Sequence, residues 1–359
     1  MAVRRQLTVL VASAALLVGT VPGGAATERD PTAKRRVTVA TYNLYIGGDI
    51  GTLVAPGVDT LPEFLGAAAA LWGNVVATNF PERAEAIADL LAADQPDVVG
   101  LQEVALWESG PPGAGVGVTY DFLAILLAEL AERGAPYRAV VTNTNFVSPV
   151  VPLPPPVGLD VRFTDRDVVI ARADLPRSRL SLSRPRPHVF AASVPITLPF
   201  VSTSILRGWS TIDVTVGSRT YRLANTHLEA FSAAIRRLQA VELAAALRRS
   251  RHPLVLVGDL NADPGTGAAR LLRRRVGMAD AWREGSGSRF TAGQDDLLRN
   301  DPSTLDRRID FVLYEADRRP DVDARAAHVI GEEASDRTSS GMWPSDHAGV
   351  VARLRLTRP

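Results

Sequence analysis

Three polar side chains crowd into five residues where an apolar run ends: LVLVGDLNADP, residues 254 to 264, stops on Gly258 and then offers Asp259, Asn261 and Asp263. Asp, Asn, Gly and Pro are turn residues, so an Asx-rich turn accounts for the composition. An active-site loop accounts for it equally well, because a strand end lets a rigid element aim catalytic groups. The same pattern recurs along the chain. Asn43 ends RVTVATYN, Glu103 ends PDVVGLQE, Asn225 and His227 end YRLANTH, Asp310 lies in RRIDFVL, and Asp346 and His347 stand in PSDHAGVV. Taken singly, each has a structural explanation; together they are carboxylates, amides and two histidines.

Their chemistry is coherent. Carboxylates and amides without cysteine suit a hard cation, Mg²⁺ or Mn²⁺, which takes oxygen ligands and keeps waters for a phosphate to displace. Two histidines titrate near neutrality, one to help take a proton from water and one to give a proton or hydrogen bond to a leaving oxygen. Asparagine amides donate to a charged phosphoryl oxygen without adding repelling charge. The parts describe hydrolysis of a phosphate ester.

The elements that must hold them follow from hydrophobic spacing. RVTVATYNLYI (36 to 46) is an alternating strand, PERAEAIADLLAADQ (81 to 95) a helix with Pro at its start, and PDVVGLQEV (96 to 104) a buried strand. DFLAILLAELAERG (121 to 134) is a helix stopped by glycine. Strands are expected at about 137 to 143, 167 to 172, 210 to 216 and 220 to 226, then a helix over about 231 to 249 and strands in LVLVGD, RIDFVLY and AGVVARLRL. VTVGSRTYRLANTH reads as a hairpin across Gly217-Ser218, so two mixed sheets with helices outside are expected in preference to a purely parallel sheet.

Of 359 residues, 46% are hydrophobic and 22% charged, an ordinary globular composition, and Lys plus Arg (40) nearly cancel Asp plus Glu (39). No global field advertises a polyanionic partner. Lys34 is the only lysine, which excludes a catalytic lysine, and the absence of cysteine excludes thiolate chemistry and disulfides. Residues 1 to 26 run from a basic start through TVLVASAALLVGTV to small residues, the order of a secretory signal with cleavage near Ala25 or Ala26. The mature protein, 36 to 359 forming one catalytic domain, is expected to be secreted, soluble and monomeric, with no transmembrane segment. VSPVVPLPPPVG (147 to 158) and HVFAASVPITLPFV (188 to 201) are apolar and proline-rich; a buried loop over the core is the structural reading, peripheral lipid contact the functional one.

In order along nearly the whole mature chain, TYNLY, LQEV, NTHLEA, GDLNADP, RRIDFVL and SDHAGV resemble the motifs of the endonuclease/exonuclease/phosphatase superfamily, which includes DNase I-like nucleases, inositol phosphatases and neutral sphingomyelinases. The resemblance implies a four-layer α/β/β/α sandwich of two mixed, largely antiparallel sheets with the active site at one edge. It implies that Glu103 is the principal metal ligand, with Asn43 beside it and Asp346 near the metal. It implies further that Asp259 and Asn261 orient the attacking water and hold the phosphoryl oxygen, and that His347 faces the scissile phosphate with Asp310 as its orienting carboxylate. His227 matches a histidine of DNase-like and sphingomyelinase-like members. The base is either Asp259 or His347.

The chain departs from the pattern in places. Tyr45 stands where some nucleases carry an acid, so a second metal falls to Asp49 or is absent. The partner of His227 is Asp165 or Asp167, unless these form salt bridges with Arg166 or Arg162. Asn225 is expected to cap its strand end, and Asp263 to serve the turn. NTHLEA resembles the sphingomyelinase-like NTHL motif, which with the apolar loops and the near-zero charge favours a phospholipid. Nucleic acid, contacted through RRR (273 to 275) and PRSRLSLSRPRP (176 to 187), is the alternative, and a non-catalytic binding module on the same fold a further one.

Overall fold

The computed structural model describes residues 36–198, 201–285, 288–318 and 321–357; the signal segment at 1 to 26 lies outside them. Two sheets face each other. The larger has nine strands. Its central strand Arg36–Asn43 runs parallel to Val98–Gln102 and antiparallel to Gly349–Leu356, and the long strand Asp160–Arg172 pairs with Val98–Gln102, Leu106–Gly110 and Tyr137–Val147. The smaller has six strands. In it Arg219–His227 is antiparallel to Gly208–Val216 and parallel to Leu254–Asp259, which is antiparallel to Asp310–Glu315. Only two pairings in these sheets are parallel, so the expectation of mixed, largely antiparallel sheets holds.

Period-two alternation builds three apolar layers from these strands. Ala40, Tyr42, Val99, Leu101, Val168 and Ile170 face outward and pack under the helices Leu61–Ala77, Phe80–Asp94 and Phe122–Glu132. Leu254, Leu256 and Leu313 pack under the helices Ala233–Leu247 and Gly267–Val276. Between the sheets lie Val37, Val39, Val98, Val169, Ile212, Leu223, Val255, Val257 and Val312. The result is the four-layer α/β/β/α sandwich.

Several expected elements shift at their ends. The strand expected to begin at 167 begins at Asp160, and the strand expected to stop at 143 runs to Val147. The helix Leu61–Ala77 was not expected: LGAAAALWGNVVA is apolar on nearly every side, so its periodicity is faint, and the signal lies in the Thr60/Glu63 capping box instead. The two proline-rich segments are not plain loops. Val151–Pro152 pairs with Asp160–Arg172, and Val194–Leu198 forms a separate hairpin with Val201–Ile205.

Candidate active site

The inter-sheet faces carry valine and leucine through most of their length and turn polar at one end. On the face of Val39 the next positions are Thr41 and Asn43; Val98 gives way to Gly100 and Gln102, Val169 to Asp167 and Asp165, and Val141 to Asn143 and Asn145. On the facing sheet, Leu223 gives way to Asn225 and His227, Val257 to Asp259, and Val312 to Asp310. Side chains two apart share a strand face, so these polar groups necessarily meet in one cleft where the apolar packing stops.

Asp259 is its centre. It is 1% exposed; its Oδ1 accepts from the backbone N–H of Asn261 at 2.8 Å and its Oδ2 from Asn43 Nδ2 at 3.3 Å. His227 Nε2 lies 3.5 Å and His347 Nε2 3.9 Å from the same Oδ2. Asp310, paired with Asp259 across the strands, holds His347 Nδ1 at 2.8 Å. Asn43 also donates to Glu103 Oε1 at 3.2 Å, whose Oε2 accepts from Ile46 N at 2.9 Å. Asn261, at φ +46°, spends one amide hydrogen on the Leu228 carbonyl at 3.0 Å and keeps the other. Ser345 Oγ ties Asn43 O, at 2.7 Å, to the loop that carries Asp346 and His347. Asn43, Glu103, His227, Asp259, Asn261, Asp310, Asp346 and His347 are thus gathered at one edge of the sandwich from across the whole sequence.

A model of the endonuclease/exonuclease/phosphatase family matches residues 40–347. The chain belongs to this family. As a member it is a phosphoric ester hydrolase. Its fold is similar to that of a family protein from Bacteroides thetaiotaomicron (15% identity, covering 90% of this chain and 98% of that one, TM-score 0.58). It is also similar to a mannosyl-6-phosphatase of the same organism (15%, 89% and 99%, 0.53) and to the human Nocturnin catalytic domain with bound sulfate (17%, 90% and 95%, 0.53). None of the curated proteins compared with the chain matches it.

Enzymes of this family generally depend on a divalent metal, and the donor set fits one. Glu103, Asp259 and Asp346 are all pushed above the ordinary carboxylate range, first by burial and then by one another or by Asp310, the signature of negative charge crowded into a low dielectric. A hard cation relieves that crowding. Asp259, Asp310 and His347 bring ligand atoms within 4.8 Å of one another. His347, however, is held well above the usual imidazole range: burial alone would lower it, but Asp310, Asp346 and Asp259 outweigh burial. A protonated imidazole is not a ligand; Glu103, Asn43 and Asp346 offer oxygen donors on the other side of the cleft, and these are the residues that would hold a cation while His347 keeps its proton.

The two histidines therefore differ in charge. His227 is held well below the usual range by burial, by Arg207 and by His347, and is neutral. Asp259 is pushed up to about 7, by burial first and by Asp310 next.

The family pattern left several positions open. The direct neighbour of His227 is Arg207, whose Nη1 lies 3.1 Å from Nδ1; Asp167 Oδ1 is 4.0 Å away, and Asp165 pairs with Arg207 at 3.4 Å. The expected alternative fails because Arg162 and Arg166 point to the opposite face of their strand, where they pair with Glu108 and Asp121. Asn225 does not cap a strand end. It is fully buried, accepts from Gln102 Nε2 at 2.7 Å and donates to Leu101 O, bolting the two sheets together. Asp49 is exposed and accepts from Gly51 N at 2.7 Å, capping the short helix Ile50–Val54, and Tyr45 donates to Asp296 O at 2.9 Å. Neither supplies a second acidic ligand. Asp263 is exposed and serves the turn, its carbonyl accepting from Thr266 N.

Arg207, Asn145 and Arg83 were not foreseen. Asn145 donates to both Asp165 and Asp167, at 3.2 and 2.9 Å; its alternation with Asn143 after Val141 was a legible signal. Arg83, fully buried, donates to the carbonyls of Leu44, Tyr45 and Pro344 and clamps the loops behind Asn43 and Asp346. Nothing local in PERAEAIADLL marks it as different from a surface arginine.

Proposed function

We propose that this protein is an exported phosphodiesterase that uses Mg²⁺ or Mn²⁺ and acts on a phospholipid or similar amphiphilic diester. The observation that carries the chemistry is a carboxylate poised near neutrality, Asp259, between a neutral histidine and a protonated one. Glu103, Asn43 and Asp346 would hold a divalent cation, which when bound would supply charge neutralisation at the phosphoryl oxygens.

The chain's own groups do the rest. Asp259 accepts a proton from the attacking water as its oxygen bonds to phosphorus, and Asn43 and Asn261 N–H hold the carboxylate in place. His347, oriented by Asp310, gives its proton to the departing ester oxygen as the old P–O bond breaks; the proton taken by Asp259 restores the balance for the next turnover. His227 donates a hydrogen bond through Nε2 to charge developing in the cleft.

The phospholipid reading is supported by the commitment of the arginines around the cleft. Arg207 is paired with Asp165 and Arg83 is buried against carbonyls, so neither offers a free charge in the cleft to a nucleic-acid backbone. Among the described residues no helix is long and apolar enough to cross a membrane, while Val147, Val150 and Val189, from the two proline-rich segments, are exposed and suit peripheral lipid contact. Hydrolysis of bis-p-nitrophenyl phosphate with Mg²⁺, Mn²⁺ or EDTA tests the enzyme against a binding module, and phospholipid vesicles against plasmid DNA test the substrate. Cleavage of DNA with vesicles untouched would replace this reading by a nuclease. N-terminal sequencing of protein from the culture medium, expected to begin near residue 26 or 27, tests export.

A further inference from the structure

Beside the catalytic cleft lies an apolar cavity of about 440 Å³, within the range of small-molecule sites, roughly 300–1,000 Å³. Its walls are almost entirely hydrocarbon and aromatic, with Leu65, Ala68 and Trp72 from the helix Leu61–Ala77 and Leu53, Trp107 and Phe146 from other elements. Two charged side chains stand among them, Arg207 and Asp165, buried and paired with each other. Arg207 is the residue that contacts His227, so the polar end of the cavity abuts the catalytic cleft. Arg207 Nε and Asp165 Oδ1, both shielded from solvent, have no hydrogen-bond partner among the described residues. Val54, Leu61, Val150 and Phe231 also line the cavity and are among the large apolar side chains most open to solvent, from 39% to 49% exposed; they mark an apolar mouth.

From this juxtaposition we infer that the cavity binds one hydrocarbon chain of an amphiphilic phosphodiester while the diester group occupies the cleft. It rests on the phosphodiesterase reading above and names the part of the substrate that this reading leaves open. An aliphatic chain fits the arrangement for three reasons. The walls offer almost no hydrogen-bonding groups, so a nucleobase or sugar would lose its water without replacement. The phosphoryl chemistry is at one end of the cavity, and an amphiphile is the molecule that joins a phosphate to hydrocarbon. The exposed apolar mouth lies where a chain leaving a lipid surface enters without crossing water.

The test uses p-nitrophenyl phosphodiesters whose second ester is methyl, butyl or octyl, kept as monomers, with Mg²⁺ or Mn²⁺. In the parent kcat/KM should rise by roughly 2- to 4-fold per methylene, about 10²-fold or more from methyl to octyl. Ala68→Phe narrows the cavity from a helix that the substitution leaves intact; it should keep the methyl-ester rate and lose at least tenfold of the octyl advantage. Val150→Asp, at the exposed mouth, places a charge in the chain's path without disturbing the core and should lose the advantage likewise. A second readout does not need turnover: in EDTA, monomeric dodecylphosphocholine should change the fluorescence of Trp72 and Trp107 saturably in the parent, with at least tenfold weaker binding in both variants.

A flat chain-length series together with no saturable fluorescence change overturns the inference, as does an unchanged octyl advantage in either folded variant. If no diester is hydrolysed with any cation but dodecylphosphocholine binds and Ala68→Phe abolishes that binding, the cavity assignment stands and the phosphodiesterase reading falls.

Discussion

Nη1 of Arg207 lies 3.1 Å from Nδ1 of His227, and because a guanidinium only donates, the neutral imidazole carries its proton on Nε2, 3.5 Å from Asp259 Oδ2. An arginine thus sets the tautomer; a carboxylate or carbonyl at the same nitrogen would accept from Nδ1–H and fix the opposite one. ¹⁵N spectra of the imidazole should show the Nε2–H form in the parent; an Nδ1–H form would remove this role. Arg207→Met should cost about 3–5 kcal/mol of stability, because it strands Asp165 beside Asp167, and should let the His227 pKa rise by removing a neighbouring positive charge. Adding Asp165→Asn should recover much of the stability without recovering turnover.

Asp259→Asn separates chemistry from folding. Turnover should fall by roughly 10²-fold or more, since an amide keeps the turn but cannot take a proton. Stability should move the other way. The folded pKa of about 7 lies above the unfolded value, so the parent's carboxylate costs nothing below about pH 4; the penalty grows as pH rises and is complete above pH 7. In EDTA the variant should match the parent at pH 4 and exceed it by about 1–4 kcal/mol at pH 8. Thermal unfolding across pH reads this directly, and a constant offset at all pH values would contradict it.

His347→Ala should be sensitive to the leaving group. As the protonated histidine it matters most when the departing oxygen is basic, so esters of alkyl alcohols should lose about 10²–10⁴-fold and p-nitrophenyl esters about tenfold. His227→Ala, which removes a hydrogen bond and not a proton, should reduce both classes alike. Equal losses in His347→Ala would remove the acid role from His347.

Glu103→Gln keeps the side chain's shape and drops the charge that holds a cation. Its activity should be low at micromolar metal and partly restored at millimolar Mg²⁺ or Mn²⁺. Parental activity at low metal would show that Glu103 is not a ligand.

Gly100→Ala addresses the sheet contact that positions all of these groups. A Cβ at Gly100 would come within 2.5 Å of both Asn225 Oδ1 and Val257 Cγ2 on the opposing sheet, so the variant should lose about 1–3 kcal/mol. An unchanged melting temperature would mean that the sheets can separate at this point without cost.

The sequence by itself determined which residues would meet. Motifs ending in Asn43, Glu103, His227, Asp259, Asp310 and His347 are local, because an apolar strand that turns polar on one face records within a few residues both where its face is buried and where that burial ends. It also determined the layered sheet architecture, since hairpins and alternating valines dictate period two regardless of partners. The tertiary structure alone decided what surrounds those residues. Arg207 immediately precedes the strand Gly208–Val216, twenty residues before His227 at the end of the neighbouring strand, and their contact depends on the register of Gly208 with His227, which no single segment encodes. The bridge between Gln102 and Asn225 depends on how closely two sheets pack, and the buried Arg83 on which loops lie over one helix. The apolar cavity is likewise a remainder of tertiary packing: the helix Leu61–Ala77, Trp107, Phe146 and the strand bearing Ile205 come from distant parts of the chain, and a void among side chains leaves no periodicity in the sequence that lines it.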